Sequence, residues 1–367
     1  MTSTHSRLAV VAGVLAGKAF NGGHVWTRIS LIAGLQRLGF EVMLVEEVNA
    51  ASTPDKQYFD RVCAQFSIDG YLVNENLSQE VVSRAETADL LLNIGGHLTN
   101  TTLKRGPRIK VYLDDDPGYT QLWIQAGLLK GRLEGHDFHF TFGQNVGRAD
   151  CPLPVDGIGW RPMLPPVVLD QWPRVPPETH GFTTVARWRG GYGRVEANGR
   201  RYGQKAHEFR RFVDMPHLTS RRFEIALAID PIDEVDRQLM HEHGWCLVDP
   251  HLVAAFPDDF RTYVQHAWAE FSVAQGVYVE TRCGWFSDRT TRFLASGKPA
   301  LVQDTGFSTN LPTGEGLVAF STVDEAVAGA LAIERDYEAH ARRAREIAET
   351  YFDSDKVLGG MLDEVGV

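Results

Sequence analysis

The amino-acid sequence predicts an α/β protein built from two doubly wound halves. Three observations point there. Short apolar runs alternate with helical spacing, the alternation breaks at a Pro-rich stretch, and beyond it the alternation starts again. The 367 residues fit two domains at about 100–200 residues each.

The first half opens with residues 8–14, wholly apolar, as expected of a strand buried on both faces of a parallel sheet. A Gly-rich loop, residues 17–24 (GKAFNGGH), follows. Helical spacing then runs through Ile29, Ile32, Leu35 and Leu38 and stops at Gly39, before a second strand at 41–45. Further strands are expected at 88–94, 108–113 and 138–142. They end in Gly95-Gly96-His97, Asp114-Asp115-Asp116 and Gly143-Gln144-Asn145. Ligands of open α/β sheets gather beyond the carboxyl ends of the strands. His24, His97, Asp114, Asp116 and Asn145 are therefore expected along one edge.

Residues 151–181 carry eight prolines and no periodicity, which suits an extended connection. The expected division is a first domain over 1–165, a linker over 166–181, a second domain over 182–350 and a terminal helix over 351–367. That helix is expected to pack back on the first domain. In the second half, strands are expected at 182–186, 223–229, 245–248, 270–274 and 299–303. Helices are expected at 205–213, 234–243, 257–267, 288–295, 323–333, 337–352 and 356–365.

Charge and motifs exclude several functions. A net charge of −10 argues against a general nucleic-acid or anionic-membrane binder, which needs a cationic footprint. The apolar run near the N-terminus is too short for a membrane span and lacks the flanks of a signal peptide, so a cytoplasmic protein is expected. Cys63, Cys151, Cys246 and Cys283 have no metal or redox spacing. The close pairs His136/His139 and His241/His243 lack neighbouring ligands in sequence, so surface or capping roles are expected of them. No phosphate-loop, dinucleotide-binding or serine-hydrolase motif is present.

The most informative stretch is residues 278–306, YVETRCGWFSDRTTRFLASGKPALVQDTG. A loop carrying Glu280 and Gly284 leads to a helix starting near Ser287 and Asp288. Gly297-Lys298-Pro299 and a buried strand follow. A helix start offers unpaired N–H groups and a positive dipole end, suited to phosphate.

This stretch resembles the donor-binding region of retaining GT-B glycosyltransferases, which place two Glu residues with seven between them before a helix and a Gly-x-Pro strand. Glu280 and Asp288 take the two acidic positions here, with Asp for the second Glu, and residues 297–301 read GKPAL. The tail from Gly314 to Phe352 resembles the C-terminal third of the same family. The likeness covers residues 180–367; the first half matches in architecture and in its Gly-rich loop.

The resemblance implies a GT-B fold of two Rossmann-like domains facing across a cleft. It implies transfer of a sugar from a nucleoside-diphosphate sugar to a small-molecule or glycan acceptor, with retention and without metal or other cofactor. Glu280 would face the donor sugar, the backbone of Gly284, Trp285 and Phe286 the sugar and pyrophosphate, and Ser287 the same helix start. Asp288 would hold the ribose. Arg187 and Lys205 would face the pyrophosphate, with Arg189, Arg194, Arg200 and Arg201 as competitors. Gly22 and Gly23 would touch donor phosphate or acceptor. His24 would be the base if configuration inverts. His97, Asp114, Asp116 and Asn145 would face the acceptor.

Two further readings of the Asp triplet and the fold stay open. Asp-x-Asp after a strand can hold Mg²⁺ or Mn²⁺ with a diphosphate. A sugar-nucleotide 2-epimerase or a non-catalytic binding domain shares this fold class.

Overall fold

The computed structural model describes residues 7–190, 195–197 and 199–367; Arg194 lies outside them. Seven strands form the first sheet: β1 (Arg7–Ala12), β2 (Phe40–Glu47), β3 (Asp69–Val73), β4 (Leu90–Ile94), β5 (Ile109–Asp114), β6 (Phe138–Thr141) and β7 (Trp160–Pro162). All pair in parallel, in the order β3-β2-β1-β4-β5-β6-β7. The apolar runs at β1 and β4 are fully covered because helices lie on both faces.

The second half contributes β8 (Phe182–Arg187), the hairpin strands β9 (Val195–Ala197) and β10 (Arg200–Tyr202), and β11 (Phe223–Ala228). β12 (Cys246–Val248), β13 (Ala269–Ser272), β14 (Ala300–Gln303) and β15 (Leu317–Phe320) complete it. Six of these form a parallel sheet in the order β12-β11-β8-β13-β14-β15. The two sheets therefore share one winding, with the strand order reversing between β1 and β4 in the first and between β8 and β13 in the second. Crevices open at such reversals.

The first helix, Gly22–Arg37, is buried along most of its length because three partners cover it. One is its own sheet. Another is the helix Pro257–His266 of the second lobe, whose Pro257 carbonyl accepts from Trp26 Nε1 at 2.7 Å. The third is the last helix, Ser354–Val365, which packs Leu358 against Gly34 and Asp355 against Arg37 at 2.8 Å. Between the sheets, residues 163–181 hold one short turn, Leu169–Gln171, and Trp172 lies fully buried against Trp26 at 4.9 Å. The second lobe has a separate aromatic core, in which Phe271 stacks on Phe320 and Trp245 meets Phe209 and Phe223.

No helix among the described residues is long and apolar enough to cross a membrane.

Candidate active site

At the first reversal, the loop after β1 turns back over the sheet. Its three successive amides, at Leu15, Ala16 and Gly17, each donate to the buried Glu46 carboxylate at 2.7 Å. Such a run of N–H groups is an anion nest. Here the protein's own carboxylate fills it.

Beside it stand Lys18, His24, Arg28, His97, Asp115 and Asp116. Arg28 is buried and pairs with Asp115 at 3.0 Å. Burial, then Arg28, hold the Lys18 ammonium below its ordinary range, while Asp115 and Asp116 oppose them. His24 lies half-buried with Nε2 donating to the Val14 carbonyl at 2.8 Å, which leaves Nδ1 as its acceptor atom. Burial, with Arg28 and Lys18 nearby, keeps this imidazole well below its usual range and hence neutral. His97 drops to about 4 through burial.

The Asp triplet divides its work. Asp114 is fully buried and accepts from Thr120, Gln121 and Thr141 at 2.7–2.8 Å. It organises the turn into the next helix. Asp115 serves Arg28. Asp116 accepts from the Tyr278 hydroxyl of the second lobe at 2.6 Å, and burial plus the neighbouring Asp115 push its carboxyl up to about 7. The three carboxylates thus each take separate protein donors.

At the second reversal, β8 ends in Arg187, which is exposed and lies within electrostatic reach of Lys18. The opposing lobes thus bring two cations to one crevice. Lys205 is buried at the start of the helix Lys205–Arg210. Its amide donates to Gln275 at 2.7 Å and its ammonium to the Val273 carbonyl. Burial, then the Arg289 charge, lower it to about 7. Arg189, a competitor in sequence, is turned to Asp233, with its Nε at 2.7 Å. Arg201 is paired with Glu196.

Glu280 belongs to a helical turn, Gly276–Thr281, where a loop was expected. Its carboxylate takes the Gly203 amide and Arg200, each at 3.0 Å. Asp288 begins the helix Asp288–Ala295, whose preceding Ser287 makes no side-chain cap. Asp288 pairs with Arg292 at 2.7 Å and accepts from Thr27 of the first helix. Burial works to raise its carboxyl, but Arg292 and Thr27 together hold it below the ordinary range. Glu280 and Asp288 thus share no partner.

Several residues expected at the ligand make contacts between lobes. The Gly22 amide donates to Ala254 at 2.8 Å, and a Cβ there would meet the Phe256 carbonyl oxygen at 2.3 Å. A Cβ on Gly23 would touch the Phe260 ring at 3.0 Å. Both glycines pack closely against the second lobe. Asn145 donates to the carbonyls of Arg282 at 2.9 Å and Gly306 at 3.1 Å, and its amide donates to Cys283. It latches the lobes. Gly284, at φ 75°, presses on Asn145 and gives its amide to Thr305. Trp285 stacks on Tyr278 at 4.3 Å and Phe286 on Phe352 at 5.0 Å, both packing contacts. The backbone at Gly284 and Trp285 also meets Gln144 and Gly143 of the first lobe, and Ser287 is buried.

Sequence reasoning missed Lys18, Arg28, Tyr278 and Arg289. Arg28 had a signal, a charge inside the apolar span from Trp26 to Leu35. Arg289 reaches back to the buried Glu270 at 2.6 Å, the Val185 carbonyl and Ser272, plugging the gap between β8 and β13.

The fold is GT-B: two parallel α/β lobes whose crevices meet. Several solved structures share it across almost their whole length. Anabaena HepE in complex with UDP-glucose superposes with a TM-score of 0.61 and 12% identity, over 98% of this chain and 99% of that one. TarM gives 0.64 and 7% identity, over 100% and 99%. Sucrose-phosphate synthase from Thermosynechococcus elongatus gives 0.57 and 11% identity, over 98% of each. No protein-family model and no curated protein sequence matches the chain.

Proposed function

We propose that this chain is a glycosyltransferase that takes a sugar from a nucleoside-diphosphate sugar on the second lobe and passes it to a small-molecule or glycan acceptor on the first. One observation carries the reading. The amide nest of the first lobe is already filled by Glu46, whereas Arg187, exposed at the end of β8, lies within electrostatic reach of Lys18 across the lobes. A diphosphate leaving group gathers negative charge as the sugar departs, and fixed cations and N–H dipoles aimed at it lower that barrier. Lys18 would add a cation from the opposite side when the lobes close and expel water.

In this reading Glu280 faces the donor sugar, positioned by Gly203 and Arg200, and Asp288 meets the ribose from a helix start. His97, Asp116 and the neutral His24 face the acceptor. Transfer without metal, like retention, is proposed from the resemblance to the retaining enzymes. Retention rests on the resemblance of residues 280–301 to the retaining enzymes. Because HepE holds UDP-glucose, UDP-sugars are the first donors to try.

The test is product formation, followed by mass spectrometry, for wild type, Lys205→Ala and Glu280→Ala with a panel of donors and acceptors. Each variant should lose about 100-fold or more while keeping its fold. Wild-type turnover from both would remove the site. An isomerised sugar formed without acceptor would instead assign an epimerase, and nucleotide binding with no turnover a binding protein.

A further inference from the structure

The outer end of the second lobe, away from the crevice, carries a second group of chemistry-bearing side chains. Asp214, His217 and His243 place one ligand atom each within 4.8 Å of one another, the one such group among the described residues. Sequence pairs His243 with His241, but the fold pairs it with His217 and Asp214. His243 Nδ1 lies 2.6 Å from an Asp214 oxygen, and the two imidazole rings stack with centroids 5.7 Å apart at 30°.

The backbone fixes all three. Asp214 precedes the short helix Met215–Leu218, and its carbonyl accepts from the amides of His217 and Leu218, so the two side chains sit three apart on one turn. His243 closes the helix Glu234–Glu242. The following Gly244 takes φ 82°, its amide donating to His241. Trp245, buried, ties the segments together by donating from Nε1 to the Val213 carbonyl at 2.7 Å. A pair of imidazoles and a carboxylate are thus held on two anchored elements, at or near the surface and open to entering ions.

We propose that Asp214, His217 and His243 form a binding site for a zinc-type transition-metal ion. Two imidazole nitrogens and one carboxylate are the donor set that suits Zn²⁺, with water completing four-coordination. Mg²⁺ and Ca²⁺ prefer all-oxygen shells and are disfavoured. The same helix Glu234–Glu242 carries Asp236, which accepts from Trp188 Nε1 and pairs with Arg210. Trp188 directly follows Arg187. A metal here clamps the helix that supports the crevice loop, without touching the crevice itself. This site is independent of the proposed sugar transfer.

The test uses the full chain after chelator treatment and dialysis. Calorimetric titration with ZnCl₂ should give one equivalent bound, and Zn²⁺ should raise the melting temperature, since a ligand of the native state alone stabilises it. Mg²⁺ should do neither. Cobalt(II) should develop the strong visible bands of a four-coordinate site. His217→Ala and His243→Ala should each weaken Zn²⁺ at least tenfold, and so should Asp214→Asn, which changes no shape if an alanine variant fails to fold. Absence of stoichiometric Zn²⁺ binding overturns the proposal. So do wild-type affinity in all three variants and an equal response to Mg²⁺.

Discussion

Asp116 and Asp288 are both acids at the meeting of the lobes, and their surroundings pull them in opposite directions. For Asp116, burial and Asp115 raise the folded carboxyl to about 7. The folded state then binds the extra proton between the unfolded value and about 7, so stability falls as pH rises through that window. Asp116→Asn removes the burden and can still accept from Tyr278. It should gain on the order of 2 kcal/mol at pH 8 and little at pH 4, read from urea unfolding at the two pH values. Equal effects at both would mean the carboxyl ionises normally.

Asp288 is the reverse case. It balances Arg292, which is fully buried and has two further nitrogens without partners. Asp288→Ala leaves that charge uncompensated and should cost about 3 kcal/mol or more. Loss of activity in that variant says nothing of ribose binding unless thermal unfolding shows the fold intact. The side chains that make these environments were only partly legible. Glu280 and Asp288 stand out in the sequence, but Thr27 and Tyr278, which touch Asp288 and Asp116 from the opposite lobe, lie 261 and 162 residues away. No local pattern announces a partner at that separation.

Among the elements, the strands were the legible part, because burial on both faces writes a short apolar run, as at residues 8–12 of β1 and 90–92 of β4. The helical turn Gly276–Thr281 was not. It starts at a glycine, follows Gln275 without a side-chain cap, and ends at Arg282 in the left-handed region with φ 49°. Its shape comes from Gly203 packing on Gly276 and from the Glu280 bonds. The first helix starts at Gly22, inside the loop expected over residues 17–24, and its glycines answer to the neighbouring lobe. Gly22→Ala should force the helix away from residues 254–256 and destabilise the protein by about 1–3 kcal/mol. A melting temperature equal to wild type would show that the lobes do not pack there in solution.

For the whole molecule, the repeated winding, its interruption by prolines and the restart were readable from pattern alone, since each sheet obeys its own periodicity. How the lobes meet was not readable. It depends on Asn145 reaching the carbonyls of Arg282 and Gly306, on Gly22 meeting Ala254, and on Asp116 meeting Tyr278. Those contacts give several residues expected at the ligand a place in the packing between lobes, and they bring Lys18 within electrostatic reach of Arg187.

The proposed donor site depends on a nucleoside diphosphate lodging against Arg187 and Lys205. Calorimetric titration of the chain with UDP, GDP, ADP, CDP and dTDP at pH 8, in buffers of different ionisation enthalpy, measures it directly. One nucleoside diphosphate should bind at a single site and draw in a proton, because the arriving phosphates restore the charge on Lys205, lowered to about 7 without ligand. Arg187→Ala should weaken that affinity at least tenfold. No binding by any of the five, or binding indifferent to Arg187 and without proton uptake, would contradict the proposed donor site.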